Sequence, residues 1–363
     1  MAQPKDAHED EGLTAQGIAG EILDTAVEHC RRGEREQAMS MFKAIREQLD
    51  PPPGITRVVN SLEATGCNAT LLVEVSGVRV QVAGGWDSNV SQGITARTLA
   101  IGSGGNTVDL PLDDSYRPRS SPFLQAGVDY SLPLPVGGLV FRAGAAHRHN
   151  ERAREFDLSS GSAALSREFR LSGSTVRAQI ERSEVWLGAQ HFQRTHGVGM
   201  QWLGTQAEGA WLAHAALNRV DYLTQPEQNA RQFETGLLIE RRLDPAASAY
   251  AGVALQWDRA QGQRAGGDRR GYMARAGALM LAFGWQLRPQ LSYSSWNSAE
   301  LFSPGTIDRA RRNRLAQLAL QAEKPLTQQT SLVLEVNGRW ARDTIALYTY
   351  RAHTLMATLA RRF

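Results

Sequence analysis

From Gly77 to the terminal Phe363 the chain repeats one pattern: segments of about ten to thirteen residues in which apolar and polar side chains alternate, divided by clusters of Gly, Pro, Asp and Asn. Alternation at period two places successive side chains on opposite faces of a strand. Between their breakers the segments run 77–87, 121–132, 139–149, 157–169, 174–190, 196–204, 208–219, 231–242, 248–259, 270–282, 287–297, 313–324, 330–341 and 350–363. Their connections alternate in length. Long ones at 88–120, 220–230, 260–269, 298–312 and 342–349 stand against short ones at 133–138, 243–247, 283–286 and 325–329. The expectation is a mainly β fold: about fourteen antiparallel strands closed into a transmembrane barrel, with long loops on one side and short turns on the other. An even count returns both chain ends to the short-turn side.

A water-soluble sandwich alternates too, with its apolar face turned inward. Strands of about ten residues suit a tilted membrane crossing, whereas sandwich strands are typically about five or six. Aromatic residues near strand ends (Trp86, Tyr130, Trp186, Trp202, Trp257, Tyr272, Trp285 and Trp340) suit interfacial girdles. The hydrophobic fraction of 42% does not argue against a membrane, because only alternate residues of a barrel meet lipid. Helical spans are excluded, since no stretch approaches the roughly 18 apolar residues such a span requires. With 40 basic and 37 acidic residues the net charge is only +3, and no basic run with interleaved aromatics is present, so nucleic acid is not an expected partner.

Residues 1–67 read differently. Residues 1–12 are polar and charged, a disordered lead-in. A barrel needs a signal peptide to reach the outer membrane, and MAQPKDAHEDEG is not one, so the expectation is a mature terminus with an added Met1. From 13 to 67 the apolar period is helical: Ile18, Ile22, Ala26 and His29 form one stripe, then Ala38, Met41, Phe42 and Ile45, then Val58, Val59 and Leu62, with Pro51 to Pro53 ending the second. Gly33, Ala38, Phe42 and Pro51 match the small, aromatic and proline positions of one tetratricopeptide unit, and about three units are needed for an independent array. This segment is expected in the periplasm. There Cys30 and Cys67 are disulfide candidates, with two free thiols as the alternative.

The final strand, HTLMATLARRF, carries Leu355, Ala357, Leu359 and Phe363 at alternate positions and looks like the assembly signal read by the barrel assembly machinery, although Arg361 departs from it. GGWDSNVSQG (84–93), RRGYMARAG, IDRARRN and TIALYTYRAHTLMATLARRF, in that order, resemble the barrel of the surface lipoprotein assembly modifiers and related barrels that follow tetratricopeptide repeats. The resemblance covers about 77–363. It implies a fourteen-stranded outer-membrane barrel that helps a lipoprotein or other protein cargo reach the surface. Polysaccharide-export porins share this layout, so a polysaccharide cargo stays open, as does a diffusion porin or adhesin.

No catalytic role is expected. His147 and His149 share a strand face, and His191 and His196 flank the region expected as a loop, but no GxSxG is present and nothing in the sequence converges on these histidines. WDSN lacks the carboxylates of a calcium loop and reads as a strand end. No metal or cofactor is expected; lipid and cargo are the partners. With apolar residues facing lipid, the lumen is expected to be lined by Gln125, Asp129, Arg177, Gln179, Glu181, His214, Asn218, Glu234, Glu240, Gln256, Asp258, Gln317, Gln321, Glu323, Glu335, Asn337 and Arg339. These either pair to fill the interior or form an acid-biased conduit.

Overall fold

The computed structural model of the protein describes Ile22, Leu23, Thr25, Ala26, His29, residues 35–48, Val59 and residues 77–363 apart from 104, 105, 135–137, 172, 173, 207, 208, 245 and 328. The chain divides into two compact units, Met1–Val75 and Ser76–Phe363. In the first, one helix spans Arg35–Gln48. Ala38, Phe42 and Ile45 lie on one side of it and pack in a buried cluster with Ala26 and Val59. The lead-in 1–12 and both Cys30 and Cys67 lie outside the described residues.

The second unit is a closed antiparallel barrel of fourteen strands. Its strands are β1 (Gly77–Asp87), β4 (Ser121–Pro133), β5 (Leu139–Asn150), β6 (Leu158–Leu171), β7 (Ser174–Leu187), β8 (Gln190–Gln206) and β9 (Gly209–Tyr222), followed by β10 (Ala230–Asp244), β11 (Ala247–Ala260), β12 (Arg269–Ala282), β13 (Trp285–Ser303), β14 (Ile307–Pro325), β15 (Thr330–Asp343) and β16 (Tyr350–Arg362). Between β1 and β4 a hairpin of β2 (Thr98–Ser103) and β3 (Asn106–Pro111) extends the sheet beyond β14 through one parallel bridge, Ile307 to Gly102. The cylinder closes where β16 meets β1 in the register Arg79–Arg362 to Asp87–Thr354, and the Phe363 amide donates to the Val78 carbonyl at 2.9 Å.

The register sorts every strand into two faces. Outward positions carry Val82, Leu124, Ile180, Val198, Leu237, Val253, Leu318, Val336 and Leu355, and these are exposed; Leu124 keeps 66% and Val253 64% of its surface. A sandwich would bury them. Inward positions hold small or polar groups: Ala83, Ala254, Ser166 and Thr358 are buried there. Gly197 is another, since a Cβ at this position would collide with Glu181 and Asn218, whose side chains occupy the space it leaves.

Three expectations are corrected. The segment 298–312 is not a loop: β13 and β14 run 19 residues each and meet at Pro304–Thr306, a ladder standing beyond the neighbouring strands. Residues 174–190 are not one strand, because Gly188 and Ala189 adopt φ of 54° and 66° and form the tight connection that returns the chain as β8. Two consecutive left-handed residues match the right-handed twist of a hairpin, and a Cβ on Gly188 would meet the Glu155 carbonyl. His191 and His196 therefore belong to β8. Finally, the connection 88–120 contains the β2–β3 hairpin.

Candidate functional site

The inward face is a polar wall of paired groups. The register puts Gln125, Asp129, Arg177, Gln179, Glu181, His214, Asn218, Glu234, Glu240, Gln256, Asp258, Gln317, Gln321, Glu323, Glu335, Asn337 and Arg339 on it. Neighbours across and along the strands bring several together. Glu234 accepts from Gln256 Nε2 at 2.6 Å and lies 3.0 Å from His214 Nε2. Arg177 Nε donates to Glu168 at 3.0 Å, Gln179 to Glu181 at 2.8 Å, and Ser248 to Glu240 at 2.7 Å. Arg288 approaches Glu323 at 3.4 Å. Arginines that the sequence reading passed over, among them Arg148, Arg275 and Arg288, stand on the same face, so the wall carries both signs rather than an acidic bias. Their signal was available: each lies at the inward parity of its strand.

At the long-loop end the wall is anchored by buried carboxylates. Asp87, the last residue of β1, is 2% exposed; its carboxylate accepts from the Asn89 amide at 2.9 Å, from Arg148 at 3.1 Å and from Thr354 at 3.3 Å, with Arg339 at 3.8 Å. Asn89 in turn donates to the Gly93 and Arg351 carbonyls, both at 2.9 Å, and accepts from the Gly93 amide. The WDSN sequence thus ties the first strand, the start of the long loop and the closing strand together.

On the β9 to β14 side, a cavity of about 240 Å³ opens among Tyr222, Gln232, Asp258, Arg264, Arg269, Trp296, Ser298, Arg311 and Asn313. Arg264 comes from the connection between β11 and β12. Its guanidinium lies 2.6 Å from Asp258, with the two side chains 2% and 7% exposed. Arg311 donates to Asp343 at 2.8 Å and stacks on Tyr348 with 3.4 Å to the ring centre. Two carboxylates therefore face three guanidiniums. The excess cation is Arg269, whose Nε is buried without a hydrogen-bond partner among the described residues, as is Ser298 Oγ. An acceptor on an anionic group would satisfy both donors. Sequence reading missed Arg264 and Arg311 because a loop residue and a ladder residue carry no parity signal until the loop and ladder are known. A second cavity, of about 320 Å³, has Tyr250, Arg288, Gln317, Gln321, Glu335 and Asn337 among its lining.

His147 and His149 do not join this wall. His147 and His149 are on β5 and face outward, opposite Ala126 and Leu124 on β4. His147 Nδ1 lies 2.8 Å from Ser159 Oγ, and His149 Nδ1 lies 2.8 Å from Asp157. Each histidine uses its Nδ1 for a different partner, so serine, imidazole and carboxylate are not aligned in one relay. Burial alone would push the Asp157 carboxyl up, but the Asn150 amide and the His149 ring donate to it and hold it below the usual carboxylate range. Among the described residues no group of three or more His, Cys, Asp or Glu is placed to hold a metal ion.

No family model and no curated protein matches the chain. Among solved structures it is similar to an anion-selective porin from Comamonas acidovorans, at 9% identity over 80% of this chain and 99% of that one, with a TM-score of 0.43. It is also similar to an outer membrane channel from Pseudomonas putida F1 (12% identity, 81% and 98% covered, TM-score 0.42). A bacterial polysaccharide outer membrane secretin matches at 11% identity, with 79% and 98% covered and a TM-score of 0.42.

Proposed function

We propose that the barrel spans the outer membrane and works as a conduit whose polar wall handles anionic groups of its cargo. What carries this reading is the division of the wall into faces. Exposed Leu, Val and Ile ring the outside, an arrangement that water would penalise over so large an area, while hydrogen-bonded charges line the inside. Arg269, the unmatched guanidinium of the mouth cavity, is the group that would meet an acidic cargo first. The finer reading, assistance to a surface lipoprotein, is supported by the resemblance of GGWDSNVSQG and the terminal strand, and a polysaccharide cargo is its rival. The helical segment before the barrel would then lie in the periplasm, where cargo arrives.

Two measurements test it. Purified barrel added to a planar bilayer should give channels whose preference for anions falls in Arg269→Gln. Failure to insert would overturn the membrane reading, and an unchanged ion preference would overturn the role of Arg269. In the cell, deleting the gene should deplete a surface lipoprotein; an unchanged surface proteome with reduced surface polysaccharide would favour the rival.

A further inference from the structure

The outside of the barrel carries most of its charge at one end. At the long-loop end, outward positions carry Arg182, Arg194, Arg219, Arg231, Arg259, Arg270, Arg312, Arg314, Arg342 and Arg351, spread over strands β7 to β16. At the short-turn end the outward bases are Arg167, Arg241, Lys324 and Arg361. Some of the first group are matched: Glu184 pairs with Arg182 and Arg194, Asp221 with Arg219, and Asn297 accepts from Arg312 at 2.9 Å. Arg231, Arg259, Arg270, Arg314, Arg342 and Arg351 are exposed and have no carboxylate in reach among the described residues.

Their placement is electrostatically adverse as it stands. Arg219, Arg231 and Arg259 lie directly opposite one another on three adjacent strands, and Arg314 lies directly opposite Arg342. Like charges facing across neighbouring strands destabilise a sheet, so the arrangement calls for anions between them. The neighbours on the same outward face say what kind of anion. Arg231 is followed by Phe233, Leu237 and Ile239, Arg259 is preceded by Trp257, Leu255 and Val253, and Arg342 by Trp340, Val336 and Leu334, all on the lipid-facing parity. Each guanidinium therefore caps an apolar stripe, with its stem continuing the stripe and its head reaching past it. A molecule that matches both parts has an apolar tail and an anionic head.

We propose that this belt binds the phosphorylated headgroups of lipids in the leaflet at the long-loop end, with Arg231 and Arg259 at its centre. Arginine suits the role because its planar fork takes two phosphate oxygens at once. The proposal rests on the barrel spanning a membrane, but it fails separately from it: insertion is scored by heat-modifiable mobility, and the belt by which lipid stays bound.

The full chain is folded into nanodiscs of phosphatidylcholine with a minority of phosphatidic acid, whose head is a bare phosphate monoester, and the lipids retained on release are weighed by native mass spectrometry. Phosphatidic acid should be retained in preference to phosphatidylcholine. Retention should fall about thirtyfold in R231Q/R259Q, given about one kcal/mol for each of the two basic residues near an anionic surface. R167Q/K324Q removes the same charge from the other end and should retain phosphatidic acid as the unmodified protein does. Inorganic phosphate should not compete. Equal retention by the two double variants, or full competition by inorganic phosphate, overturns the proposal. If R231Q/R259Q does not fold, the single variant R259Q must still show a drop, and its absence overturns the proposal as well.

Discussion

The two rims of the barrel are held by different means. At the short-turn rim the strands turn within a few residues, as at Phe283–Gly284, where both residues have positive φ. Geometry alone suffices there. At the long-loop rim the β7–β8 connection is a tight turn too, but the longer connections are fixed by buried polar side chains: Asp87, Asn89, Asn150, Asp258 and Arg264 are all nearly inaccessible and bond to backbone or to one another. The difference teaches where a barrel spends its specificity. A tight turn can be written in almost any sequence with the right two residues, but a long connection has to be told where to lie, and each buried group does so at the cost of its own desolvation.

Three experiments would break or sharpen that contrast. The largest effect is expected from removing Phe363, at the short-turn rim, because its amide closes the last backbone bond to β1 and its ring ends the alternate series read as an assembly signal. An unpaired edge in hydrocarbon leaves backbone groups unsatisfied at several kcal/mol each. Most of the folded, heat-modifiable barrel should disappear from the membrane fraction; insertion at the unmodified level would show that the terminus carries no such signal.

Next, Asp87→Ala strikes the other rim. It leaves Arg148 without its carboxylate and frees the Asn89 turn. The expected loss is about 3 kcal/mol, read by urea unfolding in phospholipid vesicles, with the barrel still inserting. A loss below about 1 kcal/mol, the size of one ordinary hydrogen bond, would mean that the rim does not depend on this anchor.

The smallest effect concerns acid. Asp157 is held below its ordinary pKa in the folded protein, so it contributes stability that is present above about pH 4, the unfolded value, and is lost as pH falls through the depressed folded one. Asp157→Asn should therefore be less stable than the unmodified protein at neutral pH, with the gap closing in acid. A gap independent of pH would assign the effect to packing.

The barrel was readable because its signal is periodic and every strand of the cylinder keeps the same two faces. Leu332, Leu334, Val336 and Trp340 must face outward together, and a slip of one residue would turn them all inward. Beyond the apolar band the rule lapses. IDRARRN stands in the ladder beyond the apolar band, is polar on both faces, and reads as loop though it is strand. The β2–β3 hairpin was hidden by Gly102 to Gly105, which read as breakers. The mouth cavity escaped for a further reason: Arg264 and Arg269 are five residues apart in sequence but reach the same cavity only because the connection between β11 and β12 folds back on Asp258. The two unpaired donors there are brought together only by the fold.

The closing seam has a kinetic meaning. Setting the β2–β3 hairpin aside, thirteen of the fourteen pairings in the cylinder join barrel strands that follow one another in the chain, and one joins its two ends. The first thirteen can zip in order as hairpins, each searching little space. The last must wait until everything between has formed, since its loop-closure entropy is set by the whole barrel. Folding of this chain should therefore show a late intermediate, an open sheet with nearly all its hydrogen bonds made and both edge strands still exposed.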